Sequence, residues 1–173
     1  GDSNLGEEEL SHFPDYLVCI PADRLQAAET DKLMEMLSAG LPVKILVQTD
    51  DLLEESTIAR DGHFALGMRA KQLASMAIGL NDVYVLQSSS SNLFQFREWI
   101  LKGMSYAGPA LFSVYSGASG ETGSLPPYLA AAAAMESRAF PAYTYAPSAG
   151  PKWASRFHLE ANSRVEAAWP AQD

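Results

Sequence analysis

The chain has 173 residues, of which 47% are hydrophobic and 19% charged, a size and balance suited to one globular domain with a sizeable core. A formal net charge of -9 and a sequence pI near 4.7 create a field that repels phosphate backbones and anionic lipid, which argues against nucleic-acid and membrane partners. No apolar run approaches the roughly 20 residues that span a bilayer, and the acidic start is unlike a signal peptide. A single cysteine, Cys19, allows no intramolecular disulfide, which fits a reducing cytoplasm.

Residues 1–12 lack periodicity and read as a flexible leader or linker, and residues 13–173 as one domain belonging to a larger protein. Tyr16 to Ile20 is a short run of β-formers ahead of Pro21 and reads as a buried strand, with Cys19 an inert thiol inside it. Leu25, Ala28, Leu33, Met36 and Leu37 recur at near-helical spacing, and Gly40 stands where a helix would be capped. Val43 to Val47 is a second strand. The polar stretch Gln48 to Gly62 that follows is long for a connection and invites a functional reading.

Arg69 to Leu80 returns to helix, with Leu73, Met76, Ala77 and Leu80 on one face, and Val83 to Leu86 is a third strand. The run Ser88 to Asn92 supplies N-caps and a turn for a helix across Leu93 to Tyr106, whose stripe is Phe96, Trp99, Ile100 and Met104. Pro109 to Tyr115 is a fourth strand, Leu125 to Ala139 an alanine-rich helix, and Ala142 to Tyr145 a short last strand. The alternation predicts an α/β fold: three layers, with a mainly parallel sheet and helices on both faces.

Ligands of such sheets bind beyond the carboxyl ends of the strands. There the first strand offers Ala22-Asp23-Arg24 and the second offers Asp50, Asp51, Glu54 and Glu55. Carboxylates from two strand ends could share a magnesium ion with a phosphorylated ligand, and the same residues equally suit helix capping. The glycine-rich turn from Ser116 to Ser124 has the position of an anion loop. It lacks the spacing of a P-loop or a dinucleotide fingerprint, so it also reads as a plain connection. His12, His63 and His158 show no ligand spacing, and no Gly-x-Ser-x-Gly elbow occurs.

Three collinear phrases carry a resemblance: Ala39 to Val47, Met76 to Val85, and Tyr106 to Ser116. With Phe140 to Pro147 and Phe157 to Glu160, they resemble the C-terminal domain of pyruvate:ferredoxin oxidoreductases over about Tyr16 to Pro170. The resemblance implies a thiamine-diphosphate-binding fold. It also implies a site where magnesium and thiamine diphosphate bind through a Gly-Asp-Gly motif after the first strand and further ligands after the second. With a one-residue gap near Asp23, the motif's aspartate falls on Asp23 and its second glycine on Arg24. The next side-chain ligand falls on Asp50, a backbone-carbonyl ligand on Leu52, and the closing asparagine on Glu55.

The metal set implied is thus Asp23, Asp50 and Leu52, and the cofactor set Asp23, Arg24, Asp50 and Glu55. Several of these depart from the family pattern. Arg24 sets a long side chain where a glycine lets backbone approach the diphosphate, and Glu54 and Glu55 add negative charge beside an anionic cofactor. The family's cysteine after the fourth strand is replaced by Gly117-Ala118.

The reading is a degenerate site with no catalytic residue and no cofactor bound in isolation, in a module that meets other oxidoreductase domains or subunits and self-associates when alone. The alternative is a working half-site for thiamine diphosphate and magnesium in a 2-oxoacid oxidoreductase, with Arg24 pairing a phosphate. A small-ligand binder of another kind, using the Gly117 to Ser124 turn, would rest on fold analogy alone.

Overall fold

The computed structural model describes residues 16–25, 27–50, 70–118, 125–160 and 162. Among these residues six strands form one sheet: β1 (Tyr16–Pro21), β2 (Val43–Thr49), β3 (Tyr84–Ser89), β4 (Ala110–Tyr115), β5 (Tyr143–Tyr145) and β6 (Phe157–His158). Their spatial order is β1-β2-β4-β3-β5-β6. The first four are parallel; β5 runs antiparallel to β3, and β6 antiparallel to β5. The helices are α1 (Ala27–Ser38), α2 (Ala70–Gly79), α3 (Arg97–Met104) and α4 (Pro127–Glu136).

Alternation along the strands sorts side chains onto two faces. Val43, Ile45 and Val47 of β2, Val85 of β3 and Leu111 of β4 pack against Leu33 and Leu37 of α1 and Leu73, Ala74 and Ala77 of α2. Their sequence neighbours Leu46, Tyr84, Leu86, Ala110 and Phe112 face Phe96, Trp99, Ile100 and Met104 from the α3 region and Met135 of α4. The fold is therefore α/β with helices on both faces of a mostly parallel sheet. Gly103 lets α3 lie close on its face, because a Cβ there would come within 2.6 Å of the Tyr84 ring and 2.8 Å of Phe112. No helix among the described residues is long and apolar enough to cross a membrane.

Several expectations change. β1 forms where expected, but it is not buried: Tyr16 is 54% exposed, Leu17 50% and Val18 37%, and Cys19 is exposed as well. The reason is topological. β1 lies at the sheet's edge with β2 as its strand neighbour, so an apolar run that reads as a core strand is covered only in part. Ser88 and Ser89 are not caps; they finish β3, fully buried, and Ser90–Asn92 forms a 3-10 turn before α3 begins at Arg97 without a side-chain cap. Met36 and Met76, assigned to buried helix faces, are 44% and 41% exposed.

The chain after β5 packs back on the domain as far as it is described. Trp153 packs on Phe157 with ring centroids 4.7 Å apart, and His158 of β6 lies against Trp99 of α3 at 4.0 Å. Asn162 clamps the start of β5, accepting from the Ala142 N–H at 2.8 Å and donating to its carbonyl. His12, His63 and Trp169 lie outside the described residues.

Candidate functional site

Strand order and helix placement together locate the crevice. β2 is followed by α2, which packs on one face, whereas its neighbour β4 is followed by α4, whose Met135 joins the other face. Helices that leave adjacent strands toward opposite faces open a gap at the strands' carboxyl ends, where doubly wound sheets bind ligands. Here that switch point falls where β2 and β4 end, at Thr49-Asp50 and Tyr115-Ser116, because Thr49 pairs with Tyr115 in register.

The polar groups at this gap already hold one another. The Ser116 hydroxyl donates to Asp50 Oδ1, and Gln48 Nε2 donates to the same oxygen at 3.1 Å. The Ser116 N–H bonds the Thr49 carbonyl at 2.9 Å, and the Ala118 N–H turns back to Ser116 Oγ at 3.1 Å. Ser90 Oγ, from the turn after β3, donates to the Ser116 carbonyl at 3.2 Å. Asp50 is half-buried, so these bonds replace part of the hydration that its carboxylate gives up.

Asp23 and Arg24 occupy the 3-10 turn Ala22–Arg24 that follows β1, and both are exposed. Pro21 pairs with Gln48, so Asp23 and Asp50 belong to neighbouring strand ends, the first in solvent and the second tied to Ser116. Leu52 and Glu55, with Asp51 and Glu54, lie outside the described residues, as does the turn from Ser119 to Ser124. Among the described residues no group of three or more His, Cys, Asp and Glu is placed to hold a metal ion.

The start of the glycine-rich turn is described, and it is packed tightly. Gly117 has φ 71°, and a Cβ there would overlap the Pro127 carbonyl oxygen and come within 3.1 Å of the Ala131 nitrogen. Its glycine serves a left-handed backbone pressed against the first turn of α4. That turn is a poor anion cradle. Pro127 has no N–H to offer, and the Leu129 and Ala130 N–H groups are engaged by the Pro126 carbonyl at 2.9 and 3.1 Å.

Two polar residues after the strand ends were not singled out from the sequence. Ser116 reaches Asp50 only because β4 inserts beside β2, which the order of residues does not reveal. Asn92, at 3% exposure, has a buried Nδ2 without a hydrogen-bond partner among the described residues, although the serine run around it reads as a simple turn. Neighbouring Ser89 and Ser91 bond each other at 2.7 Å.

For thiamine diphosphate with magnesium, the described residues are a poor fit. Of the side-chain ligands that the resemblance implies, Asp50 accepts two hydrogen bonds from its own chain on Oδ1 and Asp23 stands in solvent, and Arg24 stands where the resemblance places a glycine. No protein-family model matches this chain, and no curated protein matches it.

Proposed function

We propose that this chain is a domain like the C-terminal one of pyruvate:ferredoxin oxidoreductases, with a thiamine-diphosphate-type fold whose cofactor site has eroded. It acts in the cytoplasm as a structural or interaction module of a larger oxidoreductase-like protein and performs no chemistry itself. The observation that carries this reading is the state of Asp50. At the crevice where a doubly wound sheet binds its ligand, the acid that would face magnesium accepts hydrogen bonds from Ser116 and Gln48.

The neighbouring features point the same way. Arg24 takes the place of a glycine, and the turn after β4 is pressed onto α4 through Gly117, whose helix start offers few free donors for phosphate. Calorimetric titration with thiamine diphosphate, with and without Mg²⁺, tests the reading. It expects no saturable heat; saturable, magnesium-dependent heat that disappears in Asp23→Ala would overturn it.

A second reading is favoured by one observation, the register that sets the ends of β1 and β2 side by side. Asp23 and Asp50 would then hold magnesium in a working half-site, with the rest of the pocket supplied by another domain, and the cofactor would supply the chemistry. The same titration separates the two.

A further inference from the structure

We draw no further inference here: the strongest candidate, the surface patch at α3 where Phe94, just ahead of the helix, and Leu101 within it are exposed, carries nothing because nothing in the structure shows what covers it.

Discussion

The two ends of the sheet each place a charged residue among polar partners, and they do so to different effect. At the amino end Lys44 is fully buried, with Nζ donating to the carbonyls of Tyr106 at 2.5 Å and Gly108 at 2.7 Å. At the carboxyl end Asp50 is half-buried at the gap between β2 and β4, accepting from Ser116 and Gln48. Lys44 ties the loop before β4 to β2 and has no access to solvent, so its role is structural. Asp50 stands at the carboxyl end of the sheet, the end at which doubly wound sheets bind ligands, and its hydrogen-bond partners too belong to its own chain.

The largest way to break this contrast is Lys44→Met, which leaves two carbonyls beside an apolar side chain. Their lost hydrogen bonds should cost about 2–4 kcal/mol in urea unfolding. Alkaline pH probes the buried polar framework next. Burial pushes Tyr143 up to about 12, partly offset by a hydrogen bond with Ser75, and burial raises Tyr84 further. Below pH 10 both folded and unfolded chains hold the Tyr143 proton, and its contribution is constant. Between pH 10 and about 12 only the folded chain holds it, so stability falls as pH rises, by about 2–3 kcal/mol for this residue. Equilibrium unfolding measured across that window checks the slope.

Gly117→Ala should cost about 1–3 kcal/mol by forcing a side chain into a left-handed position against α4, measurable as a lowered melting temperature. The smallest effect belongs to the site itself. Ser116→Ala removes one hydrogen bond from a half-buried carboxylate and should lower stability by about 1 kcal/mol in the same unfolding experiment. If it cost several times more, Asp50 would be as structural as Lys44, and the two ends would be alike.

Much of the fold was legible because periodicity reports on coverage by helices. β2, β3 and β4 alternate between two cores, and their apolar runs announce it. The same signal misled at β1, since an apolar run says nothing of how many neighbours a strand has. β6, with two residues, is too short for any period, and the antiparallel direction of β5 leaves no trace in composition. Lys44 inside an apolar strand reads as an ordinary interruption, although the carbonyls that satisfy it come from more than sixty residues away.

At the site, the strand-end rule pointed to Asp50 and to Asp23, and the structure places both at strand ends. It could not reveal Ser116 as the partner of Asp50, because that contact depends on β4 entering the sheet between β2 and β3. The buried amide of Asn92 was hidden for a similar reason, within a serine run that local rules assign to capping.

Whether Asp50 is closed to ligands can be read directly from backbone amide NMR signals of this 18.7 kDa chain as Mg²⁺ and thiamine diphosphate are added together. The account predicts that the amides of Thr49, Asp50, Ser116 and Ala118 keep their positions throughout the titration. Saturable shifts at those four residues, present with magnesium and absent without it, would contradict it and make the crevice a working cofactor site.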